Sequence, residues 1–274
     1  MKIGFIGAGK VGYSLAKWFN LKYPNIVKGI YSKSLEDSID LSKFSISEYY
    51  KNINDLIYDC DTLFLTVNDD SISLIVDELI KLNVKNKILI HTSGSYSSLI
   101  FKELNNSNCC LSIHPLYAFN DKYESYKNLD DIYFTIEGNL KYINDLKELF
   151  NNKIIEIKSK DKEKYHLASS IISNMVCGLV DVAKSLYEEV GIDDMKYYLP
   201  LLNNNINNIN QYGVYKSLTG PIIRNDYNTI KKHISNLKEN DLMIYKYLGL
   251  HLVKMSEEIT NNDYSKIKEL LEEI

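Results

Sequence analysis

Short apolar runs alternate with helix-length amphipathic segments through the first half of the chain. Lys2 to Ile6 is an apolar, β-branched run with the length of a buried parallel strand, and Val11 to Phe19 places Val11, Leu15, Trp18 and Phe19 on one helical stripe. Further strand-like runs lie at Ile26 to Tyr31, Thr62 to Val67, Lys87 to His91 and Cys110 to His114, separated by helix-length segments. This alternation predicts an α/β fold, a doubly wound parallel sheet of Rossmann type. Lys153 to Ile157 reads as a strand that closes this half. After about Lys158 the alternation nearly disappears, and the rest reads as a second, all-helical domain. The predicted boundaries are 1–158 and 159–274, and the first helix of the second part, roughly 160–190, ends at Gly191 as a C-cap.

The turn between the first strand and the first helix is Gly7-Ala8-Gly9-Lys10-Val11-Gly12. The spacing alone is common, but a strand running in and a helix running out give it meaning. Gly7 allows the tight turn, Gly9 lets backbone approach a pyrophosphate, and Gly12 lets helix and strand pack closely, with the helix N-terminus facing the phosphate charge. In such a fold an acid ending the second strand holds the ribose hydroxyls of NAD. Here Tyr31 is followed by Ser32, Lys33 and Ser34. A lysine between two hydroxyls suits a 2′-phosphate, so NADP is expected ahead of NAD. Glu36 or Asp37 could serve NAD instead if the strand ended later.

Bulk properties exclude several classes. A formal charge of -4 argues against a nucleic-acid partner. The four cysteines, Cys60, Cys109, Cys110 and Cys177, have no CxxC spacing and read as reduced residues, with no metal site expected. No apolar stretch approaches bilayer-spanning length and no signal peptide precedes the first strand, so a cytoplasmic protein without membrane association is expected.

Ligands of such sheets sit at the carboxyl ends of the strands. The loops there are Thr66-Val67-Asn68, followed by Asp69 and Asp70, then His91-Thr92-Ser93-Gly94-Ser95 and His114-Pro115-Leu116. Asp69, Asp70 and Ser95 also fit as helix caps, and a strand-end histidine also fits as a hydrogen-bonded structural group. In the first helix after residue 158, His166, Ser170 and Asn174 recur at four-residue steps and share a face, either lining a cavity or bonding neighbouring helices. Thr219-Gly220-Pro221 reads as a substrate loop. Arg224, the single arginine among 32 basic residues, either binds an anion or locks the turn through Asp226, and the spacing favours the lock.

Taken in order, GAGKVG, YSKS, TVNDD, HTSGS, SIHPL, KYHLASSIISN and LTGPIIRND resemble candidate oxidoreductases that join an N-terminal Rossmann-like domain to a helical C-terminal domain of unknown function. The layout is more distantly similar to pyrroline-5-carboxylate reductase and the 3-hydroxyacid dehydrogenases. Those relatives imply a nicotinamide over the sheet, a small-molecule substrate between the domains, and a homodimer formed through the helical domain. In the hydroxyacid dehydrogenases a catalytic lysine precedes an asparagine by one helical turn. Asn174 matches that asparagine, but Ser170 stands where the lysine would be.

A C=N or C=O reduction fits this pattern better than lysine-assisted alcohol oxidation. The expected roles are substrate positioning by Ser93 and Gly94, a hydrogen bond from Asn174, and a proton supplied or oriented by His114 or His166, with His114 preferred. The alternative is an NADP-binding sensor or partner protein without turnover.

Overall fold

The computed structural model describes residues 1–151 and 153–273, which fall into two compact units, Met1–Met175 and Val176–Ile274. The first unit is built on an eight-stranded sheet. In chain order its strands are β1 (Ile3–Ile6), β2 (Val27–Tyr31), β3 (Glu48–Tyr49), β4 (Thr62–Leu65), β5 (Ile88–His91), β6 (Cys109–Pro115), β7 (Phe134–Gly138) and β8 (Ile154–Glu156). Their spatial order is β3-β2-β1-β4-β5-β6-β7-β8, the doubly wound arrangement in which the chain reverses direction across the sheet between β1 and β4. Every pairing is parallel except β6 with β7, where His114 faces Thr135 and Ser112 faces Glu137. The doubly wound, mostly parallel sheet expected from the sequence is thus present, with one antiparallel pairing.

The sheet is covered by α1 (Lys10–Lys22), α2 (Leu35–Ser45), α3 (Ile53–Asp59), α4 (Asp69–Lys81), α5 (Ile143–Leu149) and α6 (Lys162–Ser170). Three of the four stripe positions on α1 are buried, Leu15, Trp18 and Phe19, while Val11 is half-buried against the same core. The indole of Trp18 packs on Phe134 at 5.9 Å and on Phe150 at 6.0 Å, so β7 and α5 close the core that α1 opens. A second apolar cluster, including Leu56, Leu63, Leu79 and Phe101, fills the opposite face. With both faces covered, strands read as continuous apolar runs rather than alternating ones, which is what β1 and β4 show.

The helix expected over 160–190 is present, but it is interrupted. After α6 a π-helical turn, Ile171–Met175, ends the first unit, and α7 (Val176–Glu189) begins the second. Gly191 stands at φ 80°, and the Ile192 N–H bonds the Tyr187 carbonyl at 2.9 Å, the hydrogen-bond pattern of a glycine-terminated helix. By length and composition the run Ser159–Glu189 is sufficient to cross a membrane, a test that core helices of soluble proteins also pass. The expectation that no stretch approaches that length is therefore corrected.

The second unit continues with α8 (Leu199–Tyr212), α9 (Tyr227–Ser235), α10 (Glu239–Ile259) and α11 (Ser265–Glu272) around a core of Ile222, Ile230, Val253, Tyr264, Ile267 and Leu271. The loop carrying Thr219, Gly220 and Pro221 is closed by backbone bonds from Arg224 to Gly220 and from Asp226 to Pro221. The side chain that locks this turn is Asp226, not Arg224. Its carboxylate caps α9, accepting the Thr229 N–H at 3.1 Å and the Thr229 hydroxyl at 2.6 Å. Arg224 is exposed and acts on Asp226 only as a nearby charge that lowers its pKa, behind the Thr229 bonds.

Candidate active site in the first unit

The carboxyl ends of β1, β4, β5 and β6 wall a cleft of about 480 Å³ whose lining includes Gly9, Lys10, Val11, Thr66, Val67, Asn68, Asp69, Thr92, Ser93, Gly94, His114 and His166. Of the glycine loop and the three strand-end loops read from the sequence, all four contribute to it. Pro115, Tyr117 and Phe119 complete the lining.

The glycine loop lacks room for side chains. Gly7 sits at φ 102°, and a Cβ there would lie 2.6 Å from a Val67 methyl; one on Gly12 would lie 2.6 Å from the Thr66 hydroxyl. Thr66 explains the loop's shape, since its hydroxyl donates to the Gly7 carbonyl at 2.8 Å. That bond commits the Thr66 hydroxyl to the protein itself. Ala8 packs against the core behind the loop. Gly9 is the N-cap of α1 and offers no side-chain oxygen, and no acidic residue occupies the first turn. Gly9, Lys10 and Val11 line the cleft, and an uncapped helix start there suits an anion.

The Gly7 N–H bonds the Tyr31 carbonyl at 2.8 Å and so pins the end of β2 beside this loop. Since β2 ends at Tyr31, Ser32 and Lys33 follow it directly, and Glu36 and Asp37 belong to the exposed first turn of α2. The Ser32 N–H donates to the Ser38 hydroxyl, and the Ser34 hydroxyl caps α2 by accepting from the Asp37 N–H at 3.2 Å. Lys33 is exposed.

At the other end of the cleft the Ser93 hydroxyl accepts the N–H groups of Ser95 and Tyr96 at 3.1 and 3.0 Å. It therefore shapes the turn that presents Gly94. Ser95 donates to the Asp69 carboxylate at 2.6 Å, tying the β5 loop to the start of α4; the cap position of α4 is Asn68, whose side chain makes no capping bond. Gly94 lies between two imidazoles: a Cβ there would be 2.5 Å from His166 Cδ2 and 2.8 Å from His114 Nε2. The two rings stand edge to face, 6.3 Å apart.

Behind His114 lies a buried polar row in which the sequence pointed to His91 and His166 but to no role for Ser112, Glu137, Lys162 or Tyr165. Residues 91, 112 and 137 are in register across β5, β6 and β7, and α6 lays Lys162, Tyr165, His166 and Ser169 along the same face. Lys162 is buried, donates to the Ser112 hydroxyl at 2.8 Å, and is pushed down to about 8 by burial. Glu137 accepts from the Ser98 N–H at 2.6 Å, the Ser98 hydroxyl at 2.7 Å and the Ser159 hydroxyl at 2.5 Å. His91 is fully buried, with neither ring nitrogen hydrogen-bonded among the described residues, and burial drives it down to about 4. Burial, and then the charge of Lys162, drive His114 down to about 3. Both rings are neutral at pH 7. The available signal was the polar stripe at 162, 165, 166 and 169 on a helix following a strand.

Asn174 lies elsewhere. It is exposed in the π-helical turn, donates to Ser170 at 3.4 Å, and does not line the cleft of the first unit. Thr219, Gly220 and Pro221 belong to the second unit.

Comparison with known proteins matches residues 1–115 to a Rossmann-like domain and residues 132–252 to a domain of unknown function, DUF2520. The chain joins a Rossmann-like domain to a DUF2520 domain. Among solved structures it is similar to protein TM1727 from Thermotoga maritima, at 24% identity and a TM-score of 0.73, covering 93% of this chain and 98% of that one. It is likewise similar to BF3122 from Bacteroides fragilis, named as a candidate NADP oxidoreductase, at 21% identity and a TM-score of 0.72, covering 92% and 98%. A reductive aminase from Aspergillus terreus in complex with NADPH and ethyl levulinate follows at 12% identity and a TM-score of 0.67, covering 98% and 99%. These likenesses establish the Rossmann-like α/β fold with a helical C-terminal part. No curated protein matches the sequence.

Proposed function

We propose that this protein is a cytoplasmic NADP-dependent oxidoreductase that reduces a small C=N or C=O substrate beside His114. The observation that carries the reading is a single cleft holding both an uncapped, glycine-walled helix N-terminus and a neutral histidine at a strand end. The α1 amides and Gly9 suit the pyrophosphate. Ser32 and Lys33, directly after β2, suit the 2′-phosphate, and no carboxylate ends that strand to favour NAD instead. The names of the Bacteroides and Aspergillus neighbours support the same cofactor and chemistry.

When bound, the nicotinamide supplies the hydride. The chain's own groups position and neutralise. Ser93 shapes the loop that brings Gly94 against the substrate, His114 offers a ring nitrogen to its heteroatom, and Asp69 is the carboxylate of the cleft lining. An imine nitrogen carries a lone pair that a neutral N–H donor can hold and, once protonated, accepts hydride with little further help from an acid, with the Asp69 carboxylate in the same lining to balance the charge. C=N is therefore preferred over C=O.

The test is NADPH oxidation with a panel of small cyclic imines, keto acids paired with amines, and ketones. Wild type is expected to turn over C=N substrates, and His114→Ala to lose on the order of 10²-fold in kcat while retaining NADPH affinity. NADPH binding without turnover of any panel member would replace the enzyme with a sensor or partner protein.

A further inference from the structure

The two ring nitrogens of His114 have different neighbours. Nε2 faces the cleft at Gly94. Nδ1 faces inward, 2.6 Å from the hydroxyl of Tyr165, whose ring stands edge-on to the imidazole at 5.6 Å. We propose that Tyr165 is a positioning residue that holds His114 in the tautomer with the proton on Nε2, so that the cleft receives a neutral N–H donor rather than a lone pair.

The direction of the Tyr165 bond decides the tautomer. A phenol is a far stronger acid than a neutral imidazole N–H, and an imidazole nitrogen a far stronger base than a phenol oxygen, so a hydrogen bond between them runs from O–H to N. At 2.6 Å the pair is within hydrogen-bond reach, with the phenol donating and Nδ1 accepting. A neutral imidazole carries one proton, and with Nδ1 accepting that proton resides on Nε2. The ring cannot escape by taking a second proton, because the groups facing it oppose an imidazolium. Beyond burial, Lys162 behind it on α6 and then His166 beside it lower its pKa, ahead of the opposing Asp69, and His91 on β5 adds a still smaller lowering. Tyr165 remains a phenol, since burial raises its pKa, offset in part by the Thr135 and Ser169 hydroxyls.

The consequence concerns the substrate. A fixed Nε2–H can donate to a carbonyl oxygen or to an unprotonated imine nitrogen, and cannot act as a base toward either. This deepens the reductase reading and rests on it for its catalytic meaning, while the tautomer can be measured without turnover.

The experiment is long-range ¹H–¹⁵N correlation NMR of the histidine rings in the full-length protein at neutral pH, with His114 assigned by loss of its signals in His114→Gln. Wild type is expected to show an unprotonated Nδ1 and a protonated Nε2, and Tyr165→Phe to move both nitrogens toward tautomer-averaged positions. With C=N substrates, Tyr165→Phe is expected to lower kcat by roughly 10²-fold with little change in KM or NADPH affinity. A wild-type ring protonated on Nδ1, or unchanged shifts in Tyr165→Phe, would overturn the proposal. If Tyr165→Phe does not fold, the wild-type spectrum alone decides. A wild-type Nε2–H in a protein that turns over no substrate would uphold the tautomer assignment and sink the reductase reading.

Discussion

At the scale of the residue, the cleft depends on positions where a single atom would not fit and on rings that stay uncharged. Gly94 is the clearest case, since a methyl there would press on both His114 and His166. Gly94→Ala is expected to displace the imidazoles and lower NADPH-dependent turnover by roughly 10²-fold while the melting temperature changes little, read by steady-state kinetics beside calorimetry. Unchanged kinetics would mean that neither ring needs its present place.

Neutral rings also fix a pH dependence. His91 and His114 have folded pKa values of about 4 and about 3, below the ordinary histidine value of 6.5. Between those limits the unfolded chain binds protons that the folded chain refuses, so stability falls as pH drops from about 6.5 toward 4. Urea unfolding at a series of pH values should show this slope, and His114→Gln should flatten it. An identical slope in that variant would place the proton uptake elsewhere.

At the scale of the element, the most instructive pieces are those the sequence hides. β1, the glycine turn and α1 were legible because an apolar run, a glycine spacing and a helical stripe follow one another within 20 residues. The strand-end loops were legible because strand ends are where doubly wound sheets put chemistry. β7 was not, since its short run, Phe134 to Gly138, pairs antiparallel with β6 through a long connection and leaves no local signature. Yet Phe134 stacks on Trp18 at 5.9 Å and packs at a tilt against Phe150 at 4.6 Å. Phe134→Ala is expected to cost about 3–5 kcal/mol in unfolding free energy by denaturant titration, and a cost below about 1 kcal/mol would mean that β7 is peripheral.

α6 was hidden differently. Tyr165 is one of 22 tyrosines and Lys162 one of many lysines, in a chain rich in both. Only burial against β6 and β7 separates them from surface residues. The four-residue spacing of His166, Ser170 and Asn174 drew attention to this helix, but the π-helical turn breaks its register. His166 reaches the cleft lining, whereas Asn174 does not.

At the scale of the whole molecule, the doubly wound topology places the glycine loop after β1 and the Thr66 loop after β4 at the point where strand order reverses, with the histidines two strands further along. One unit therefore presents a glycine-walled helix start and a neutral histidine in the same cleft. Whether this cleft takes NADP is read directly by titrating the purified protein with NADPH and with NADH. The readout is energy transfer from Trp18, the single tryptophan, which lies on the helix leaving the glycine loop. Saturable binding is expected that favours NADPH in wild type and loses that preference in Lys33→Ala. Equal affinity for the two cofactors, or no binding of either, would contradict it.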